Sequence, residues 1–229
     1  MRPVAKYTLA YCFCLSLLLI LQINAAQAQQ NGEQNRPSRQ TQNTAQNIKL
    51  VLLGNSLVAG YGLPQADNFA QQLQTALIKA NKQVQIINAG VSGDTSAGGA
   101  ARFEWSVPDE ADAIMIALGG NDLLRGLPPA NMQANLESII VRAKARKLKI
   151  LLVGQRAPPN MGADYMRRFN QVFPSLAEKH ELMLYPFFLQ HVAGIQALNQ
   201  PDGIHPNKQG VAIMVEHILP FILTLLDTH

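Results

Sequence analysis

The sequence has very little cysteine and lacks the common nucleotide and zinc motifs. Its 229 residues include only Cys12 and Cys14, which both lie in an apolar run near the N-terminus. No G-x-x-x-x-G-K-[ST], G-x-G-x-x-G or H-E-x-x-H pattern occurs in the chain. These absences argue against a P-loop, a dinucleotide-binding fold and a zinc protease, and we expect neither a metal nor an organic cofactor.

The N-terminus has the three parts of a secretory signal peptide. Arg2 and Lys6 precede the apolar run at residues 9–21, and the small-residue sequence Ala26-Gln27-Ala28 follows it. A membrane anchor is the alternative, but the run is well short of the roughly 20 residues that span a bilayer. We therefore expect cleavage after residue 28, a periplasmic or secreted protein, and no stable membrane span afterwards. The cysteines would leave with the signal peptide, which excludes disulfide and thiol chemistry in the mature chain.

Strong charge is missing as well. The formal net charge is +4, and removing residues 1–28 takes away two basic groups and no acidic ones, which leaves 4 − 2 = +2. That bias is too weak to predict nucleic acid or an anionic membrane surface as a partner. Residues 29–47 are mostly polar and have few apolar side chains to bury, so they predict a disordered leader. One domain is expected over residues 48–229.

Short apolar segments alternate with amphipathic ones along this domain. The predicted strands are residues 50–53, 84–88, 111–118, 149–153 and 182–185. The predicted helices are residues 68–82, 95–107, 128–146, 163–179 and 209–226. Such alternation is typical of the α/β class, here a three-layer α/β/α arrangement around a five-stranded parallel sheet.

Polar residues with catalytic potential follow the predicted strands. Ser56 comes after the first strand, Gly90 after the second, Asn121 after the third, and Asp202 with His205 after the fifth. All of them would therefore lie at the carboxyl edge of the sheet, where open α/β folds place their sites. In D-x-x-H spacing the carboxylate can orient the imidazole, which can then take a proton from a serine. Considered alone, the same spacing also fits a surface turn followed by a solvated histidine.

Four separated blocks resemble the SGNH hydrolases, also called the GDSL esterase/lipase family. The blocks are Gly54-Asn55-Ser56-Leu57, Asn88-Ala89-Gly90, Gly119-Gly120-Asn121-Asp122 and Asp202-Gly203-Ile204-His205-Pro206. They occur in the family's order and cover the chain from residue 50 to its end. The sequences of these blocks are most similar to those of the bacterial periplasmic thioesterase I, lysophospholipase and arylesterase branch. The resemblance implies a flavodoxin-like fold and hydrolysis of carboxylic esters or thioesters through an acyl-enzyme.

The resemblance also assigns roles to the residues. It implies Ser56 as nucleophile, His205 as general base and then general acid, and Asp202 as the group that orients His205. The oxyanion hole would consist of the N–H groups of Ser56 and Gly90 and the side-chain amide of Asn121. Losing one such side-chain donor typically costs ~10²–10³ in turnover.

One residue departs from the family pattern. Asn55 precedes the serine where the family usually has aspartate. We interpret it as a turn-stabilising residue, because an Asn side chain can hydrogen-bond to nearby backbone. A catalytically inactive binding relative is the alternative. Among nearby polar residues, Asp94 is expected to cap the following helix and Arg102 to be structural.

Apolar loops at the same edge predict the substrate-binding wall. The expected residues follow the third and fourth strands and are Leu123, Leu124, Leu127 and Pro158. Ordinary loop packing is an equal alternative for each residue singly, and the resemblance favours acyl binding for the set. We expect a monomer that acts on a small-molecule or lipid ester with an apolar acyl or aryl part. A carbohydrate deacetylase of the same family is the runner-up, although the chain has a single Trp to stack on sugars.

Overall fold

The computed structural model describes residues 47–228. The predicted signal peptide, residues 1–28, and the first part of the predicted polar leader, residues 29–46, lie outside the described residues. Within the described part, a single sheet with helices on both faces forms the domain. The limits of the predicted domain, residues 48 and 229, remain a prediction.

The five predicted strands are present and all pair in parallel. They are β1 (Ile48–Gly54), β2 (Val84–Gly90), β3 (Ala113–Ala117), β4 (Lys149–Val153) and β5 (Met183–Tyr185). Their order in the sheet is β2-β1-β3-β4-β5, which is the flavodoxin-like order. The strand order therefore reverses between β1 and β3, and ligand sites in such sheets form at that reversal, beyond the carboxyl ends of the strands.

Helices and short turns connect the strands. The α-helices of the described residues are α1 (Ser56–Ala59), α2 (Phe69–Lys79), α3 (Ser96–Ala101), α4 (Phe103–Ser106), α5 (Gly120–Leu124), α6 (Pro129–Ala145), α7 (Ala163–His180) and α8 (Lys208–Asp227). The segment predicted as one helix over residues 95–107 is two helices that meet at Arg102. Gly98 and Gly99 lie in this segment and lower its helix propensity.

The sheet buries a different set of side chains on each face, because neighbouring residues of a strand point in opposite directions. Leu50 and Leu52 of β1 join the core under α2 and α8. Val51 and Leu53 join the core under α6 and α7. All four are fully buried, so the continuous apolar run of β1 is explained by helices on both sides, and the predicted three-layer α/β/α arrangement is confirmed.

Helix α8 is long and apolar enough, by length and composition alone, to cross a membrane. In the structure it packs on the sheet. Met214, Ile218 and Ile222 of α8 are buried in the core with α2. The apolar composition of α8 is therefore accounted for by core packing.

Candidate active site

The turn after β1 raises Ser56 at the edge of the sheet. Asn55 is 3% exposed, and its Oδ1 accepts the Leu57 N–H at 3.1 Å, which caps the N-terminus of α1. A Cβ at Gly54 would lie 2.3 Å from Cγ2 of Val58, so only glycine allows α1 to fold back this closely on β1. The turn-stabilising role expected for Asn55 matches this geometry, and Ser56 becomes the first residue of α1.

Ser56, His205 and Asp202 form a continuous chain of hydrogen bonds. The His205 Nε2 lies 2.9 Å from the Ser56 Oγ, and its Nδ1 lies 2.7 Å from Oδ2 of Asp202. An ionised carboxylate can only accept, so the Nδ1 of His205 carries a proton. The Nε2 is then the acceptor for the serine hydroxyl. The fold thus brings together three residues that are up to 149 positions apart in the chain.

Asp202 is held in its ionised form by the donors that surround it. Its pKa is lowered from 3.8 to about 2, first by the backbone N–H of His205, then by the His205 ring and by the backbone N–H of Ile204. Both backbone groups donate to Oδ1, at 3.0 and 2.9 Å. Because this pKa is depressed, the contacts support the folded loop above pH 3.8 and are lost as the pH falls through about 2. Asp202 is therefore charged across the neutral range.

A glutamine holds the histidine loop against the serine loop. The backbone N–H of Gln200 donates to the His205 carbonyl at 2.7 Å. The side-chain Nε2 of Gln200 donates to the carbonyls of Tyr61 and Pro206 at 2.8 and 3.0 Å. The ring of Tyr61 packs on the imidazole with centroids 4.6 Å apart. Neither Gln200 nor Tyr61 belongs to a sequence motif, and both act through long-range contacts, so the sequence alone does not indicate their roles.

The expected oxyanion donor Gly90 is not placed for that role. Strand β2 runs two residues further than predicted, so Gly90 pairs with Gly54 in the sheet. Its N–H donates to Oδ1 of Asn88 at 2.9 Å, and Gly90 does not line the cavity beside Ser56. The prediction for Gly90 is therefore corrected.

Gly93, in the same loop, occupies the position that Gly90 was expected to fill. It lines the cavity with Ser56 and Asn121, and its φ of +84° suits a glycine. Within residues 47–228, the N–H groups of Ser56 and Gly93 have no protein acceptor. The Nδ2 of Asn121 donates one hydrogen to the Asp94 carbonyl at 2.9 Å and keeps its second hydrogen available. The residues that line the cavity thus include three with an N–H donor that is free to bind a ligand atom, Ser56, Gly93 and Asn121.

Two arginines hold this loop. Arg102, 5% exposed, places its Nε 2.6 Å from Oδ2 of Asp94 and its Nη2 3.0 Å from the Gly54 carbonyl, so it joins the loop to the end of β1. Arg125 donates to the Gly93 carbonyl at 2.7 Å. Asp94 was expected to cap a helix, but the cap of α3 is Thr95, and the Asp94 carboxylate pairs with Arg102. The structural role expected for Arg102 agrees with these contacts.

The triad opens on a largely apolar cavity of about 640 Å³. Leu123, Leu124 and Pro158 line it as predicted. Leu127 does not line it, because the chain turns at Gly126, whose φ is +60°, and the Leu127 carbonyl accepts the Tyr165 hydroxyl at 2.9 Å. Other apolar lining residues are Leu57, Ala157, Phe187, Leu189 and Ile204. Among residues 47–228, no group of three or more metal-ligating side chains could hold an ion.

The contacts of Asn55 predict the effect of restoring the residue usual in this motif. Asn55→Asp keeps an oxygen that can accept the Leu57 N–H, and Asn and Asp cap helices about equally well. We expect kcat to change by no more than about threefold. Ester hydrolysis by the two proteins under identical conditions checks this. A gain of about tenfold or more would show that Asn55 impairs the site.

The profile of the GDSL-like Lipase/Acylhydrolase family matches residues 52–213. Esterase TesA of Pseudomonas aeruginosa is 36% identical over 214 residues, which cover 93% of this chain and 96% of that protein. Thioesterase 1/protease 1/lysophospholipase L1 of Escherichia coli K12 is 35% identical over 160 residues, 69% of this chain and 76% of that protein. The crystal structure of AlinE4, an SGNH-hydrolase family esterase, superposes with a TM-score of 0.66 at 43% identity and covers 80% of this chain and 98% of that one.

These similarities extend over the sheet and over every block of the site. The match of the family profile begins in β1, before Ser56, and ends in α8, after His205. The relatives match over most of their own length, so the likeness is not confined to a shared fragment. The chain therefore belongs to the GDSL-like lipase/acylhydrolase family, the SGNH hydrolases, and is a serine ester hydrolase.

Proposed function

We propose that the chain hydrolyses carboxylic esters or thioesters with an apolar acyl or aryl part through a Ser56-His205-Asp202 triad and an acyl-enzyme. One observation carries this proposal. The hydrogen-bonded series from Asp202 through His205 to Ser56 ends at the wall of an apolar cavity, which Gly93 and Asn121 also line. A serine hydroxyl becomes a useful nucleophile only when a base accepts its proton, and His205 is in position to do so.

The reaction would proceed in two halves. In the first, the Ser56 Oγ attacks the carbonyl carbon while its proton moves to the Nε2 of His205, and the resulting imidazolium gives that proton to the departing alcohol or thiol. In the second, water takes the place of the alcohol, attacks the acyl-serine with the help of His205 and releases the acid. The charged Asp202 stabilises the imidazolium in both halves and keeps the ring in the productive tautomer.

The N–H groups of Ser56 and Gly93 and the amide of Asn121 would bind the oxyanion. Each half-reaction places a negative charge on the former carbonyl oxygen, and fixed donors stabilise that charge without reorganising. Two contacts keep these donors in place, from Arg125 to the Gly93 carbonyl and from Asn121 to the Asp94 carbonyl. Gly93 therefore replaces Gly90 in the proposed oxyanion hole.

Asn121→Ala should lower kcat by about 10²–10³-fold with little change in KM, because one oxyanion donor is lost and the others remain. Steady-state hydrolysis of a p-nitrophenyl ester measures both constants. Asn131→Ala is a matched control, since that Asn lies exposed on α6. If Asn121→Ala keeps more than about a tenth of wild-type kcat, its amide does not bind the oxyanion.

The acyl or aryl preference is proposed from the cavity and from the relatives. The lining is mostly apolar, and the similar proteins carry the names esterase, arylesterase and thioesterase 1/lysophospholipase L1. Both point to a small-molecule or lipid ester as substrate. Hydrolysis of p-nitrophenyl esters from acetyl to palmitoyl tests this. Serine-dependent rates that rise from acetyl to medium or long chains support it, whereas hydrolysis confined to acetyl would favour a deacetylase.

The proposal has two further parts. The protein is exported with cleavage of the signal peptide, and it is a monomer. The intact mass of the exported protein tests the first, since loss of residues 1–28 is expected and their retention would overturn cleavage. Sedimentation or light scattering tests the second. A dimer at micromolar concentration would contradict the monomer.

A further inference from the structure

Exposed hydrophobic side chains are concentrated at the carboxyl edge of the sheet. Nine large hydrophobic side chains of the described residues are exposed, and six of them lie between the carboxyl end of a strand and the helix that returns along the sheet. Single exposed hydrophobic residues are ordinary, whereas larger exposed patches mark interaction sites. These six residues are called the apolar rim, and they are Tyr61, Val91, Leu124, Leu127, Ile195 and Ile204.

The other three exposed hydrophobic side chains lie toward the opposite edge. Ile78, Trp105 and Val141 are near the ends of α2, α4 and α6, each shortly before the next strand begins. They belong to three separate helices and border no part of the cavity. The carboxyl edge therefore differs from the rest of the described surface.

The apolar rim borders the entrance of the cavity. Tyr61, Leu124 and Ile204 are exposed and also line the cavity beside the nucleophile, so they lie where the cavity opens to solvent. Val91 and Ile195 do not line it, but each is the immediate sequence neighbour of a residue that does. The rim thus comes from the segments after β1, β2, β3 and β5 and meets at one opening.

The same edge carries positive charge. Arg125 and Arg156 are exposed there, and neither forms an ion pair within the described residues. The guanidinium of Arg156 lies 5.5 Å from the ring centroid of Phe187, at the cavity wall. The carboxylates of these segments have partners, which are Lys208 for Asp67, Arg102 for Asp94, Ser96 for Asp122 and His205 for Asp202. The weak net charge of the whole chain does not report this local excess.

A lipid surface with negative headgroups matches both properties. Apolar side chains insert at the boundary between headgroups and acyl chains, and nearby arginines are attracted by anionic lipids. A protein partner or a second copy on the rim would cover the entrance that the ester must pass. A membrane would instead present its acyl chains at that entrance.

We propose that the apolar rim docks the protein on an anionic phospholipid surface, with Arg125 and Arg156 against the headgroups, and that the ester substrate enters the cavity from this surface. The entry of substrate rests on the proposed function, because it needs an acyl group bound at Ser56. The docking itself can be measured without turnover.

Vesicle binding tests the docking. The vesicles consist of ether-linked lipids, which an esterase cannot cleave, with phosphatidylglycerol and phosphatidylcholine in equal parts or phosphatidylcholine alone. We expect the mature protein to cosediment with the anionic vesicles at least about tenfold more strongly, since two arginines face them. Val91→Ser/Ile195→Ser should lower the partition coefficient on anionic vesicles by about tenfold or more, because two apolar side chains no longer insert.

Ile78→Ser/Val141→Ser is the matched control, since it replaces the same two residue types on exposed positions away from the rim. It should bind vesicles as the wild type does. None of the four side chains lines the cavity, so both double variants should keep kcat/KM for p-nitrophenyl butyrate within about twofold. The single variants Val91→Ser and Ile195→Ser repeat the test if the double variant does not fold.

The single tryptophan of the chain reports the orientation on the membrane. Brominated lipids quench only nearby indoles, so the fluorescence of Trp105 should persist on bound vesicles. In a Trp105→Phe background, Leu127→Trp should be quenched, because it places an indole on the rim.

Several results would overturn the docking. They are a wild type that binds no vesicle or binds phosphatidylcholine equally well, an equal loss of binding in both double variants, and quenching of Trp105. A dimer that Val91→Ser/Ile195→Ser dissociates would show that a second copy covers the rim instead. Hydrolysis of p-nitrophenyl butyrate without vesicle binding defeats this inference alone. Vesicle binding without hydrolysis of any ester defeats the proposed function and leaves the docking.

Discussion

Ser56→Ala is expected to lower kcat for any ester substrate by about 10⁴-fold or more. The Ser56 Oγ is the atom that would form the bond to the acyl carbon, and alanine offers no nucleophile in its place. The oxyanion donors and the cavity remain, so substrate should still bind, and the residual rate should be that of water attack in a preorganised site. Initial rates with a p-nitrophenyl ester, measured at high enzyme concentration, cover the required range.

The fold of this variant should be intact, because within residues 47–228 the hydroxyl forms a hydrogen bond only with the imidazole of His205. Thermal unfolding and far-UV circular dichroism check this. Ser138→Ala, on the exposed side of α6, is the matched control and should retain wild-type kcat. If Ser56→Ala keeps even a few per cent of wild-type kcat, another residue is the nucleophile.

Asp202→Asn is expected to lower kcat by about 10⁴-fold while leaving the loop in place. The Oδ1 of Asp202 accepts the N–H groups of Ile204 and His205, and the oxygen of an asparagine can do the same. Where Oδ2 stood, however, the amide nitrogen would donate to the Nδ1 of His205. The ring would then carry its proton on Nε2 and could not accept the proton of Ser56.

This variant separates chemistry from structure, because the same side chain has both roles through different oxygens. We expect KM and Tm close to wild type and a strong fall in kcat alone. Asn207→Ala provides a contrast, since the Asn207 side chain caps α8 beside the same loop without contacting the triad. Its loss should lower stability by about 1 kcal/mol and kcat only slightly. A loss of less than about tenfold in Asp202→Asn would remove Asp202 from the triad.

The fold and the three triad residues were accessible from the sequence for physical reasons. Parallel strands covered on both faces need continuous apolar runs, which made β1 and β3 visible. Reactive residues at the carboxyl ends of such strands must share one edge. Ser56, Asp202 and His205 also lie in short motifs whose local geometry is fixed by their own turns.

The loop that follows β2 and carries Gly93 was predictable only in part. The sequence places Gly90 and Gly93 in one short segment, and the end of β2 decides which of them lies in the loop. Gly90 pairs with Gly54 across the sheet, a contact between residues 36 positions apart that no local pattern reports. The hydrogen bonds of Arg102 and Arg125 could not be predicted for the same reason, since both side chains donate to backbone carbonyls far away in the sequence.

The residues of the cavity wall were also predictable only in part. Leu123 and Pro158 come a few residues after the ends of β3 and β4 and line the cavity as predicted. Leu127 lies beyond the turn at Gly126 and is directed elsewhere.

The most direct test of the central claim is to identify the residue that a fluorophosphonate modifies. The mature protein is treated with the reagent, and the adduct is located by intact mass and peptide mapping. We predict one phosphonate per chain, bound to Ser56, no adduct in Ser56→Ala, and much slower labelling in Asp202→Asn. An adduct on another residue, or an unlabelled protein that still hydrolyses esters, would contradict the account of Ser56 as the nucleophile.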